Sequence, residues 1–340
     1  MVSMKEALFY TKLDNKKVRC LLCPHNCLIL EGKRGFCGVR QNKGGKLYTL
    51  VYGRIVAASL DPIEKKPLYH FFPGTTAYSI ATGGCNFTCL HCQNADISQI
   101  KNRVEMLEVN EVKPEDIIKV AINNKAKTIA YTYTEPTIFY EFALDTARLA
   151  HKRKLKNVFI TNGFINKKPV EKIIPFLDAV NIDLKFFDDK LYEKMCHGTL
   201  KPVLETIRLL KANNKWIEIT TLIIPGFNDD SQQLTQIAKF ISSLDVSIPW
   251  HITAFFPANQ LVDVDATEGN LLFKAREIGF KYGLKNVYCG NIGSNEAENT
   301  YCPACKRVVI ERNGYKVISV NMKDSKCEFC NQAISGRYEE

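Results

Sequence analysis

The chain has no stretch that reads as a secretory leader. Met1 to Cys20 carries Lys5, Glu6, Lys12, Asp14, Lys16, Lys17 and Arg19 and has no apolar run. It also lacks any run of roughly 18 apolar residues, so no transmembrane helix is expected. The span from Phe71 to Ala95 has no Lys, Arg, Asp or Glu, but its Gly, Thr, Asn and Cys do not suit lipid. Residues 61–299 have no net charge, with 28 Lys and Arg against 28 Asp and Glu. That balance excludes a uniformly basic nucleic-acid binder. The expected setting is cytoplasmic and reducing, where a disulfide framework is out of place in a chain of 340 residues.

What is present in excess is cysteine: 13 residues in a chain that is 46% hydrophobic and 24% charged. Cys20, Cys23, Cys27 and Cys37 form a first group. Cys85, Cys89 and Cys92 form a tight trio. Cys302, Cys305, Cys327 and Cys330 form a third group, and Cys196 and Cys289 stand alone. The formal charge of +10 is also uneven: residues 1–60 hold 11 basic and 3 acidic side chains. The grouping predicts an N-terminal four-cysteine module with its lead-in over 1–70, a core over 71–292 and a C-terminal module over 293–340.

The core alternates strand and helix signals. Strands are expected at Thr76–Thr82, Thr128–Thr134, Asn157–Thr161, Ala179–Lys185, Trp216–Ile224, Trp250–Phe256 and Asn286–Tyr288. Helices are expected at Pro114–Asn124, Thr137–Lys154, Val203–Ala212, Ser231–Leu244 and Asn270–Tyr282. Pro114 suits a first turn, where its missing N–H costs nothing. Alternation of this kind predicts an α/β fold with a parallel sheet, a full or partial barrel, and chemistry at the C-terminal strand ends.

The trio, Cys-x3-Cys-x2-Cys, follows the first of those strands directly. Three thiolates suit an iron–sulfur cluster that leaves one iron open to a substrate, whereas structural zinc takes four ligands. A zinc site completed by His91 or a distant ligand is the competing reading. At this point the chain resembles the radical SAM superfamily, which carries such a loop after the first strand of a partial (β/α)6 TIM-type barrel. The resemblance implies a [4Fe-4S] cluster on Cys85, Cys89 and Cys92 that chelates S-adenosylmethionine and cleaves it reductively to a 5′-deoxyadenosyl radical. It also implies cofactor contacts from His91, Gln93, Thr134, Glu135, Asn162, Asp183, Lys185 and His251. Tyr133-Thr134-Glu135-Pro136 resembles the segment that takes the methionine amino group, with Glu135 as the ammonium acceptor. Asp183-Leu184-Lys185 resembles the Asp-x-Lys element of glycyl-radical-enzyme activases.

Cys20, Cys23, Cys27 and Cys37 lie within 18 residues beside Gly32, Gly35 and Gly38. Zinc and a second iron–sulfur cluster both fit them. Cys302-x2-Cys305 and Cys327-x2-Cys330 flank an expected hairpin turning at Asn313-Gly314, the arrangement of a zinc ribbon, with zinc or iron–sulfur open. The segments at 20–27, 61–71, 131–137, 224–229 and 298–305 make the whole chain resemble the AmmeMemoRadiSam system radical SAM enzyme, a relative of pyruvate formate-lyase activating enzymes. That resemblance implies an electron donor of ferredoxin or flavodoxin type and partners of the Memo-like and AMMECR types. The expected function is hydrogen abstraction from a macromolecular substrate. A glycyl-radical activase is the alternative, and a zinc-dependent nucleic-acid-binding or adaptor protein is the alternative of another class.

Overall fold

The computed structural model describes residues 4–100, 109–294 and 296–338. Its centre is one eight-stranded sheet. The strands are β1 (Ile55–Pro62), β2 (Thr76–Thr82), β3 (Thr128–Tyr131), β4 (Lys156–Thr161), β5 (Ala179–Asp183), β6 (Trp216–Ile223), β7 (Trp250–Ala254) and β8 (Val287–Gly290). From β2 to β8 they lie side by side in chain order and run parallel; β1 pairs antiparallel with β2 at the edge. Burial explains the sequence pattern. All four residues of Thr128–Tyr131 are buried, as a strand covered on both faces requires.

Each step between parallel strands passes through helix. The helices of seven or more residues are α1 (Pro114–Asn123), α2 (Tyr140–Lys152), α3 (Lys167–Ile173), α4 (Asp189–Cys196), α5 (Leu200–Ala212), α6 (Ser231–Leu244) and α7 (Gly269–Lys281). Six β/α units are thus followed by a closing seventh parallel strand, the partial barrel expected from the alternation. The caps follow from sequence. Asp230 accepts from the N–H groups of Gln232 and Gln233 at the start of α6, and Pro114 opens α1.

Three differences from expectation have local causes. The strand expected to reach Thr134 stops at Tyr131, because Tyr133 takes a left-handed φ of 60° and turns the chain. The helix expected from Thr137 begins as a 3₁₀ turn, Pro136–Phe139, before α2. The antiparallel β1 and the short α3 give no strong periodic signal and were not expected.

Both chain ends pack onto this sheet. In the N-terminal region, strands Tyr10–Lys12, Val18–Cys20 and Leu28–Ile29 form one antiparallel sheet, and Lys5–Glu6, Arg40–Lys43 and Lys46–Thr49 form another. Val18, Cys20, Leu22, Ile29, Val39 and Leu47 belong to the same apolar cluster as the barrel interior. In the C-terminal region, Val308–Asn313 and Lys316–Val320 form the hairpin, turning through Gly314 at φ 58°. The segment Ile63–Thr75 is the seam between barrel and C-terminus: Phe72 N–H donates to Arg337 O at 2.7 Å and Arg337 N–H to His70 O at 2.7 Å.

Candidate active site

The trio begins three residues past the C-terminal end of β2. Cys85 accepts from the Phe87 N–H at 3.4 Å, and Cys92 Sγ lies 3.2 Å from Ser98 Oγ. The loop is clamped from outside. Thr88 and Leu90 N–H groups donate to the carbonyls of Cys196 and Met195 at the end of α4. The Cys89 carbonyl accepts from Gln99 and Asn259 side chains at 2.9 and 3.0 Å. Among the described residues, the ligating atoms of Cys89, His91 and Cys196 draw within 4.8 Å of one another. Cys196, which sequence left alone, therefore backs the trio; burial pushes its thiol well up.

A cavity of about 670 Å³ opens from this loop and is lined from the ends of every parallel strand. Cys85, Cys89, His91, Cys92, Gln93, Thr134, Asn162, Asp183, Lys185 and His251 all face it. His91 is 3% exposed, and neither ring nitrogen has a hydrogen-bond partner. A buried ring with two orphaned polar atoms in a cavity wall is a position shaped for something bound. Burial, then Lys185, holds its pKa down at about 3, so the ring is neutral.

Glu135 does not line the cavity in the way the resemblance implies. Its Oε1 accepts from Thr137 N–H, Thr137 Oγ1 and Thr161 Oγ1 at 3.0, 2.6 and 2.7 Å, and its Oε2 accepts from Asn162 N–H at 2.8 Å. Four donors on one fully buried carboxyl make it a strut that sets the ends of β3 and β4. What that strand end presents to the cavity is Thr132, Tyr133 and Thr134. Asn162, fixed by this strut, reaches Asn86 Oδ1 at 2.8 Å and Cys85 Sγ at 3.9 Å.

Asp183 and Lys185 pair at 2.8 Å. Burial works against the ammonium, but Asp183 and the thiols of Cys89 and Cys196 outweigh it and push the Lys185 pKa well up. Lys185 thus carries a firm positive charge beside the trio. His251 lies deeper. Its Nε2 meets Glu218 Oε2 at 2.6 Å, and its ring stacks on Tyr288 with centroids 5.2 Å apart. Glu218 also accepts from the Tyr69 and His70 N–H groups and Trp216 Nε1, so this pair ties β6 and β7 to the seam.

Sequence reasoning missed one cluster in the same cavity. Lys66, 2% exposed, pairs with Asp61 Oδ2 at 2.7 Å and lies 4.3 Å above the Tyr133 ring, whose hydroxyl donates to the same carboxylate. Burial works against the Asp61 carboxylate, but hydrogen bonds from Lys66, Tyr133 and Lys65 hold its pKa well below the usual range. The signal was available: Asp61, Glu64, Lys65 and Lys66 are four charged residues crowded into six positions. Tyr69, Tyr288 and Tyr315 complete the far wall.

The two four-cysteine groups differ. Cys302 and Cys330 Sγ lie 3.5 Å apart, Cys305 and Cys327 Sγ 3.8 Å, and all four draw within 4.8 Å. The N-terminal four form no such group among the described residues; instead they line a small enclosed void with Leu22, His25, Ile29, Phe36, Arg40 and Thr137.

Comparison with known proteins agrees with this geometry. Residues 79–239 match the radical SAM superfamily model. An uncharacterized protein of Methanocaldococcus jannaschii is 46% identical over 334 residues, spanning 97% of this chain and 99% of its own. The pyruvate formate-lyase 1-activating enzyme of Escherichia coli K12 is 23% identical over 159 residues, 46% of this chain and 65% of that enzyme. A radical SAM methyltransferase from Sphaerobacter thermophilus shares the fold, with a TM-score of 0.51 and 12% identity over 70% of this chain and 71% of that one. No helix of the described residues is long and apolar enough to cross a membrane. The chain belongs to the radical SAM superfamily.

Proposed function

We propose that this chain cleaves S-adenosylmethionine reductively at a [4Fe-4S] cluster held by Cys85, Cys89 and Cys92 and abstracts a hydrogen atom from a macromolecular substrate. The observation that carries the reading is the three-thiol loop beside a cavity of about 670 Å³ whose wall contains His91 with both ring nitrogens unpartnered. When bound, the cluster and S-adenosylmethionine supply the sulfonium cleavage and the 5′-deoxyadenosyl radical. The chain's own residues bind, orient and shield. His91 and Gln93 face the cofactor from the loop. Thr134 and Asn162 offer polar contacts from two strand ends, held there by Glu135. The Lys185 ammonium, steadied by Asp183, answers a carboxylate at hydrogen-bonding range. His251, with Tyr69 and Tyr288, forms the inner wall that keeps water from a reactive intermediate.

The fit of the cofactor pair rests on the donor set: three thiols in one loop, and a neutral ring with unused hydrogen-bonding capacity. The test is anaerobic reconstitution followed by reduction. Wild-type protein is expected to release 5′-deoxyadenosine from S-adenosylmethionine and Cys89→Ala none; a reduced, iron-loaded wild type that releases none overturns the reading.

A second reading is an activase that places a glycyl radical on a pyruvate formate-lyase-like partner. Similarity to the Escherichia coli activating enzyme over 159 residues favours it. It requires a glycine-centred radical signal on a partner chain after turnover. The electron donor in either reading is a ferredoxin or flavodoxin type carrier. Memo-like and AMMECR-type partners rest on the resemblance of the five segments and are tested by co-purification from a host carrying all three genes. Zinc in the C-terminal site is supported by its spacing. A tetrahedral ion with Zn–S of about 2.3 Å sets its sulfurs about 3.8 Å apart, which matches 3.5 and 3.8 Å. The Cys302 thiol suits this role. Burial pushes it up, but N–H groups of Cys305 and Ala304 and the Cys330 thiol outweigh it and leave its pKa at about 7.

A further inference from the structure

The N-terminal cysteines are arranged like the trio and unlike the C-terminal four. Cys85, Cys89 and Cys92, the cysteines of the superfamily's cluster loop, are not drawn together as a single ion would draw them; within 4.8 Å, Cys89 groups with His91 and Cys196 instead. No three of Cys20, Cys23, Cys27 and Cys37 draw within 4.8 Å of one another either, and the four surround a void. A four-iron cube carries its thiolates on separate corners, further apart than one ion holds them. The void walls are apolar apart from the thiols, His25, Thr137 and Arg40. Arg40 is 2% exposed and lines the void with the thiols, where its guanidinium would help offset the negative charge of a thiolate-ligated cluster.

The two cysteine sites also touch. His25 Nε2 lies 2.7 Å from the carbonyl oxygen of Asn86, the residue after Cys85. Its ring packs against Phe36 at 4.2 Å and Phe164 at 5.1 Å, which fixes its position. On the other side, Gly84 takes φ 98°, and a Cβ there would stand 3.1 Å from the Cys37 carbonyl oxygen and 2.7 Å from Val39. Only glycine lets the Cys37 loop come so close to the residue before Cys85. A chain of bonds therefore runs from Cys23 through Pro24 and His25 to Asn86 and Cys85, with one hydrogen bond in it.

We infer that Cys20, Cys23, Cys27 and Cys37 hold a second four-iron cluster that passes electrons through His25 to the cluster on Cys85, Cys89 and Cys92. The relay rests on the proposed function above; the presence of the second cluster does not. The electron count balances. A one-electron iron–sulfur or flavin carrier is oxidised as the N-terminal cluster is reduced from the dipositive to the monopositive core. That cluster then returns to the dipositive core as the S-adenosylmethionine-binding cluster gains the same electron. No proton or group moves. Arg19 and Lys33 stand exposed on this module and favour an acidic carrier.

The test uses the full chain, reconstituted anaerobically. In the Cys85→Ala/Cys89→Ala/Cys92→Ala variant, about four iron atoms and a reducible cluster signal in electron paramagnetic resonance remain. Iron-free protein with zinc in both terminal sites overturns the inference. Cys23→Ser/Cys27→Ser loses those irons and keeps the zinc; if it fails to fold, the first variant still decides. His25→Phe keeps the ring packing and removes the contact with Asn86. It is expected to keep full iron content and full 5′-deoxyadenosine yield with a small chemical reductant, while reduction by a ferredoxin-type protein slows severalfold. An unchanged rate with the protein donor overturns the relay. A wild type that holds both clusters and makes no 5′-deoxyadenosine overturns the proposed function and leaves the second cluster standing.

Discussion

At the N-terminal end, Arg40 Nη2 meets Glu141 of α2 at 2.9 Å, both side chains 2% exposed, and the same nitrogen donates to the Leu8 carbonyl at 2.7 Å. At the C-terminal end, Arg312 stands 3.6 Å from Glu64 and spends its stronger bonds on neutral oxygens: Tyr69 O at 2.7 Å, Thr300 Oγ1 at 2.9 Å and Glu298 O at 3.1 Å. Each end is thus pinned by a buried arginine, but the apolar packing differs. The N-terminal module shares the barrel's core, whereas the C-terminal cysteines sit in a separate cluster of Cys302, Val309, Cys327 and Ile334. So small a core cannot hold a fold unaided, and a closed metal site is the usual remedy. The N-terminal module has no such need. Its cysteines are therefore better explained by electron chemistry than by structural support.

The largest effect that can sharpen this contrast is at Arg40. Arg40→Met leaves Glu141 buried without its counter-ion and is expected to cost about 3–5 kcal/mol in global unfolding, measured by chemical denaturation. Arg40→Met/Glu141→Leu should recover most of that. If the single variant loses less than the C-terminal one below, the N-terminal module is not part of the core in the energetic sense.

Arg312→Met removes hydrogen bonds to neutral partners and strands Glu64. Burial already pushes the Glu64 carboxyl upward, so it can protonate and relieve the loss. The expected cost is about 2 kcal/mol. It should appear as early melting of the C-terminal module, read from hydrogen exchange in the hairpin before the barrel opens.

The contrast also shows what the sequence could disclose. Cysteine spacing, a local quantity, marked all three groups, and residue periodicity marked the barrel's strand alternation. It could not separate zinc from iron in the terminal groups, because Cys20–Cys37 and Cys302–Cys330 have similar ligand counts and differ in how far folding lets the thiols converge. Nor could it tell that Glu135 would spend its carboxyl on Thr137, Thr161 and Asn162, since two of those partners lie on the next strand end. The same holds for Lys66 over Tyr133 and for His25 against Asn86, 61 positions apart. Periodicity reports which face of an element is covered, and those contacts join loops that have no period.

A smaller effect comes from acid. His70 ties the seam to the C-terminus: Nδ1 lies 2.7 Å from Ser335 O and Nε2 2.5 Å from the Tyr288 hydroxyl. A neutral ring donating from Nδ1 and accepting at Nε2 satisfies both. Burial lowers its pKa to about 4 from 6.5, although Glu218 pulls the other way. Between those values the unfolded chain binds the extra proton and the folded one does not, so stability falls as pH drops through 6.5 toward 4. At pH 5.5 the loss from this group is about 1.2 kcal/mol relative to pH 7. His70→Gln should flatten that part of the pH profile. A profile unchanged by the substitution would mean that the seam does not govern acid stability.

The smallest effect tests whether the hairpin turn is a structural necessity or only a convenience. Gly314 has φ 58°, and an added Cβ would meet nothing within 4 Å. The cost of Gly314→Ala is then the backbone conformation alone, about 1 kcal/mol. Gly84→Ala adds to a similar backbone cost a collision with Val39 and the Cys37 carbonyl, so it should destabilise more and disturb the junction of the two cysteine sites. The pair separates the modules cleanly. Gly314→Ala should lower stability slightly and leave iron content untouched, while Gly84→Ala should reduce iron retention as well. Equal losses for both would mean that close approach of the Cys37 loop to the trio is not what Gly84 provides.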